Sequence, residues 1–133
     1  MKDRAFFDTN VILYAFDNSD DNKYSKAIAC LDKYEPIIST QVIREFANVI
    51  IKKKIFSLSV LKEDLTALHH SFEIVEENVL KAVDIHSRYK YSFYDSLIIA
   101  SALKAGCSIL FSEDMQDGQI IEDIKIMNPF MER

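Results

Sequence analysis

The stretch RAFFDTNVILYAF, residues 4–16, holds an apolar run that ends on Asp8 and resumes after Thr9 and Asn10. Hydrophobic burial draws both flanks inward and carries a charge with them. Glu45 lies within TQVIREFANVI. Helical winding groups Val42, Phe46, Val49 and Ile50 on one apolar arc, with Glu45 on its flank and Arg44 further out. Asp95 opens FYDSLIIASAL, where Leu97, Ile98, Ile99, Ala102 and Leu103 surround the axis, so this helix must be mostly buried. Downstream, LFSEDMQDG supplies Glu113, Asp114 and Asp117 at the end of another apolar run. A buried carboxylate must be protonated, paired or bound to a metal. Oxygen-only donors suit hard divalent cations, Mg²⁺ or Mn²⁺.

Each acid taken alone has a structural explanation. Asp8 could cap the helix that follows it, and Glu45 could pair with a lysine. Asp95 gains from a helix dipole, while Asp114 and Asp117 suit a loop. Their joint placement, two within apolar segments and two at strand ends, is what points to a shared site. Other chemistries lack their residues. His69 and His70 sit together and His86 stands apart, so no Cys/His cluster offers zinc ligands. Gly106 and Gly118 are isolated, so no glycine-rich loop cradles phosphate, and no serine sits in a glycine-flanked elbow.

The elements that must position these acids alternate along the chain. A strand ends at Asp8, and a helix over 10–16 follows, capped by Thr9 or Asn10. DNSDDN, 17–22, is turn-forming, and 24–31 is an amphipathic helix. PIIS, 36–39, reads as a buried strand, and helices follow over 40–51 and 58–70. FEIV, 72–75, alternates as a strand, and 79–89 is helical again. Residues 93–105 form a helix stopped by Gly106. SILF, 108–111, and IKIM, 124–127, complete a roughly five-stranded set. Alternating strands and helices imply right-handed crossovers, hence a three-layer α/β/α domain over residues 1–133 with a mostly parallel sheet. Ligands in such sheets bind beyond the carboxyl ends of the strands, where Asp8 and the 113–117 acids fall.

Composition narrows the function classes. The 133 residues are 49% hydrophobic and 28% charged, with only two glycines and two prolines, as in an ordinary globular chain without long linkers. Cys30 and Cys107 are too few for a disulfide framework. The N-terminal apolar run meets Asp8 too soon for a signal peptide, and 97–103 is too short to span a membrane. A cytoplasmic location is the expectation. The net charge of −5 does not suggest bulk binding to a polyanion, unless cations neutralise the gathered acids.

In order, FFDTNVILYAF, STQVIREFANVI, YSFYDSLIIASAL and ILFSEDMQDGQII resemble the PIN-domain family, more narrowly its VapC-type toxin ribonucleases, from Arg4 to Phe130. The resemblance implies a metal-dependent endoribonuclease, usually a homodimer, held inactive by a cognate antitoxin. Asp8, Glu45 and Asp95 match the family's acids. Asp114 matches the fourth, with Asp117 as a second candidate, and Thr9, Asn10 and Ser112 match supporting positions. RNA contacts could come from Arg44, Lys52, Lys53, Lys54, Arg88 and Lys90, and Tyr91 and Tyr94 could stack on unpaired bases. Two alternatives stay open: a haloacid-dehalogenase-like phosphatase with Asp8 as nucleophile, and a PIN-like module that binds RNA or protein without cleaving. The former needs an acid two residues after Asp8, where this chain has Asn10.

Overall fold

Ala5, Phe6 and Phe7 are fully buried, and a strand buried on both faces belongs at the centre of a sheet. In the computed structural model, which describes residues 1–132, β1 (Arg4–Phe7) is that strand. Arg133, the last residue of the expected domain, lies outside the described residues. The chain continues through α1 (Thr9–Phe16), α2 (Asp21–Lys33), β2 (Glu35–Ser39), α3 (Thr40–Lys53), α4 (Leu58–Ser71) and β3 (Glu73–Val75). Next come α5 (Val79–Tyr89), α6 (Phe93–Lys104), β4 (Ile109–Phe111), β5 (Ile120–Ile121) and β6 (Ile124–Met127). The strands lie in the order β3-β2-β1-β4-β6-β5, all parallel except β5 against β6.

That order explains the layers. The chain moves outward from β1 to β2 to β3, then crosses back to β4 on the other side of β1. Right-handed crossovers in opposite directions put their helices on opposite faces, giving the α/β/α arrangement. The reversal lies between β1 and β4, paired with Phe6 beside Leu110 and Phe7 beside Phe111. Asp8 N–H donates to Phe111 O at 2.9 Å, extending that pairing to the end of β1.

The expected elements are present, with ends shifted by one or two residues in α3, α4, β3, α6 and β4 and with four larger adjustments. The first helix begins at Thr9 with Asp8, not Thr9 or Asn10, as its cap. The second spans Asp21–Lys33, longer than its apolar pattern, because Asp20 caps it by accepting from Lys23 N–H. The sheet gains a sixth strand, β5, too short to show alternation; it turns back on β6 through Glu122, whose φ is 51°. Pro36 is the second residue of β2, not the first. Glu35 N–H donates to Asp3 O, so the missing donor of Pro36 faces the β3 side, where pairing begins only at Ile37. Gly106, at φ 71°, ends α6 as expected. Its N–H donates to Leu103 O, and that of Cys107 donates to Ala102 O, as in a Schellman cap.

Candidate active site

Beyond the carboxyl ends of β1 and β4 a cleft of about 170 Å³ opens, at the switch point where open parallel sheets bind ligands. Four acids from four separate elements line it: Asp8, Glu45, Asp95 and Asp114. Asp8 leaves the end of β1 and is buried. Glu45 sits on the second turn of α3, which starts directly from β2 with Ser39 as its cap. Asp95 is in the first turn of α6, where Ser92 Oγ accepts from its N–H at 3.1 Å. Asp114 follows β4 and is exposed.

The residues beside these acids hold them in place. Asp8 Oδ1 accepts from Thr9 N–H at 2.8 Å, and its Oδ2 accepts from Ser112 Oγ at 2.9 Å. Thr9 Oγ1 donates to Glu45 Oε1 at 2.9 Å, and Asn10 Nδ2 donates to Asp114 Oδ2 at 2.7 Å. Ser112 Oγ also accepts from the backbone of Asp114 and Met115, both at 3.3 Å. The capping and clustering explanations of Asp8 are therefore both true. Ser112→Ala should lower stability by about 1–2 kcal/mol, since it strips a buried carboxylate of its donor. A melt within a degree of the parent would show that the hydroxyl does not hold Asp8.

The charges in the cleft are not neutralised by the protein. No Lys, Arg or His lines it among the described residues. Burial, reinforced by Asp95 and Glu45, pushes the Asp8 carboxyl up to about 6, against the opposing bonds from Thr9 and Ser112. Burial and the nearby Asp114 push Asp95 up as well, against the bond to Ser92. Among the described residues no three His, Cys, Asp or Glu side chains close tightly enough to hold an ion unaided. The donor set nevertheless fits a hard cation such as Mg²⁺, which keeps several waters and takes only one or two carboxylates directly.

A profile of the PIN domain matches residues 5–116. The chain belongs to the PIN domain family. Solved structures with this PIN domain's fold include a toxin–antitoxin complex from Klebsiella pneumoniae, with TM-score 0.72 and 19% identity over 94% of this chain and 97% of that one. Rickettsia felis VapBC2, solved with a DNA fragment from its promoter, gives TM-score 0.69 and 16% identity over 94% and 98%. Mycobacterium tuberculosis VapC20, described as a sarcin–ricin-loop-cleaving toxin, gives TM-score 0.66 and 17% identity over 83% and 91%. Comparison with curated protein sequences gives no match.

Other residues singled out in the sequence of this PIN domain lie outside the cleft. Asp117 Oδ1 accepts from Asn128 N–H at 2.8 Å, so Asp114, rather than Asp117, joins the other three acids. Glu113 points away to an ion pair with Lys23 and accepts from Tyr14 Oη at 3.1 Å. Arg44 is exposed and paired with Glu77. Lys54 and Lys90 are left-handed helix C-caps at φ 51° and 67°, Arg88 rests beside the Tyr89 ring, and Lys52 is exposed. Tyr91 ties two loops together, donating to Gln119 Oε1 and accepting from Gln116 N–H, while Tyr94 is exposed. His86 Nδ1 meets Tyr91 O at 2.6 Å and His69 Nδ1 meets Leu65 O at 2.8 Å, both away from the cleft.

Gln41 is the lining residue that the sequence reading passes over. It lies one turn before Glu45 on α3, and its Nε2 donates to Tyr94 O at 3.1 Å, tethering α3 to the start of α6. The i, i+4 spacing to Glu45 was the available signal.

Proposed function

We propose that this PIN domain is a metal-dependent endoribonuclease and the toxin of a toxin–antitoxin pair. The observation that carries the reading is the convergence of Asp8, Glu45, Asp95 and Asp114 in one cleft whose lining has no basic residue among the described residues. Mg²⁺ or Mn²⁺ bound by these carboxylates supplies Lewis-acid polarisation of the scissile phosphate and a lowered pKa for the attacking water. The chain's own contribution is placement. Ser112 and Thr9 fix Asp8, Thr9 also fixes Glu45, and Asn10 fixes Asp114. Such hydrogen bonds to ligating carboxylates keep donor oxygens aimed at one place. Electroneutrality favours the reading too, because cations turn an acidic cleft into a receptor for phosphate.

The same position argues against the phosphatase alternative. Where that chemistry needs an acid two residues after the nucleophile, Asn10 donates an amide hydrogen to Asp114. A cognate antitoxin as partner is supported by the structural neighbours solved as toxin–antitoxin complexes. A homodimer is supported by exposed Val79, Leu80 and Val83 on α5, apolar surface that a second copy would cover. Among the described residues no helix is long and apolar enough to cross a membrane.

The deciding experiment is cleavage of single-stranded RNA by the purified chain. Cleavage should require Mg²⁺ or Mn²⁺ and stop with EDTA. Undiminished cleavage in EDTA would sink the metal mechanism, and no cleavage under any divalent cation would leave the binding-module reading.

A further inference from the structure

Beside the acidic cleft lies an annex of about 140 Å³ walled by Leu13, Tyr14, Val49 and Ile55, with Asp17 and Lys53 at its polar edge. Asn10 and Val49 line both spaces, so the two adjoin. The four apolar walls are half-buried. Tyr14 is fixed: its hydroxyl donates to Glu113, its ring packs edge-on against Phe130 at 5.0 Å, and Lys23 lies over it at 4.6 Å. Asp17 caps the end of α1, and its Oδ1 accepts from Ser19 N–H at 3.0 Å, which commits one oxygen to the turn. Of the three consecutive lysines, Lys53 is the one that lines this space.

We propose that the annex is a nucleobase subsite, taking the base next to the scissile phosphate and selecting one that presents an amino group. The inference rests on the RNA-cleaving reading, because a phosphate held by the four acids places its flanking nucleoside within reach of the adjoining space. The aliphatic side chains of Leu13, Val49 and Ile55, with the Tyr14 ring, form an apolar lining against which an unpaired base can bury its faces. The second oxygen of Asp17 can only accept hydrogen bonds while ionised. It therefore suits the N4 amino group of cytosine, the N6 of adenine or the N1–H and N2–H edge of guanine. Uracil sets carbonyl oxygens beside its one N–H and meets that carboxylate with repulsion. Lys53, at the rim, is placed to meet the neighbouring phosphate.

Two measurements test this. First, adenosine, cytidine and uridine, which carry no phosphate, are titrated in EDTA against methyl-labelled protein. Leu13, Val49 and Ile55 methyl signals should shift with adenosine or cytidine at concentrations where uridine leaves them in place. Equal responses to all three nucleosides, or no response at these methyls, would overturn the subsite. Second, cleavage sites are mapped on a random-sequence RNA with Mg²⁺ for the parent and for Asp17→Asn. The asparagine keeps the acceptor that Ser19 needs but replaces the second acceptor with a donor. The parent should disfavour uracil at one position flanking the cut by roughly fivefold or more, and Asp17→Asn should lose that bias. An unchanged cleavage pattern in Asp17→Asn refutes the role of Asp17. Failure of the nuclease reading looks different: the methyl shifts persist while no RNA is cut.

Discussion

Asp8→Asn is expected to cut RNA cleavage by at least about a hundredfold while leaving the fold intact. Removal of groups that merely orient metal ligands costs about 10–100-fold, and Asp8 is proposed as a ligand itself. The substitution is close to isosteric. An asparagine oxygen can still accept from Thr9 N–H, while its amide faces Ser112 Oγ, which already accepts from Asp114 and Met115 N–H and so offers only a weak, shared acceptor. What it loses is the negative charge. The measurement is the rate of RNA cleavage at saturating Mg²⁺, with circular dichroism to show that both proteins are folded. In cells the same change should abolish growth arrest on expression. A folded Asp8→Asn protein that cleaves within a few-fold of the parent would remove Asp8 from the cation site. Equal toxicity of the two chains would place the toxic effect outside catalysis.

The fold was legible in the sequence where burial set the pattern. IKIM reads as a strand because Ile124 and Ile126 are buried while Lys125 is exposed, and β6 spans those four residues. The near-complete apolar circumference of 97–103 reads as a buried helix, and Ser96–Ala102 of α6 are all buried. Gly106 marks a helix end because a left-handed residue is needed there. Two-residue β5 was not legible, since its pairing depends on a turn through Glu122, a residue type with no preference for positive φ. Within the site, Asp8, Glu45 and Asp95 stood out because apolar neighbours forced them inward. The choice between Asp114 and Asp117 was not legible. Both follow β4 in a polar loop, and only the three-dimensional course of that loop, held by Ser112 Oγ and by the Asp117–Asn128 bond, separates them. Gln41 had only its i, i+4 spacing to Glu45 to mark it, because its bond to Tyr94 O depends on α6 packing beside α3.

The acids that make the cleft should also weaken the metal-free protein at neutral pH, and Asp8→Asn should melt higher than the parent in EDTA. The folded Asp8 carboxyl is raised from an ordinary value near 3.8 to about 6, with burial the largest cause and the charges of Asp95 and Glu45 adding to it. Below the ordinary value both folded and unfolded states are protonated, and the group costs nothing. Between that value and about 6 the folded state holds a proton that the unfolded state has released, so stability falls as pH rises through this window. Above it both are ionised and the cost is complete, at most about 3 kcal/mol from the size of the shift. Asparagine removes the charge but makes a weaker bond to Ser112, so a net gain of about 1–2 kcal/mol, or about 4–8 °C in Tm, is expected at pH 7.5. At pH 4 the difference between the two proteins should shrink. Asp95→Asn should show the same sign with a smaller effect, because Asp95 is only half-buried. Adding millimolar Mg²⁺ should reverse the order of Asp8→Asn and parent by raising the parent more, since binding only to the folded state stabilises it by mass action. If Asp8→Asn instead melts several degrees below the parent in EDTA and both respond equally to Mg²⁺, Asp8 is a helix cap and nothing more.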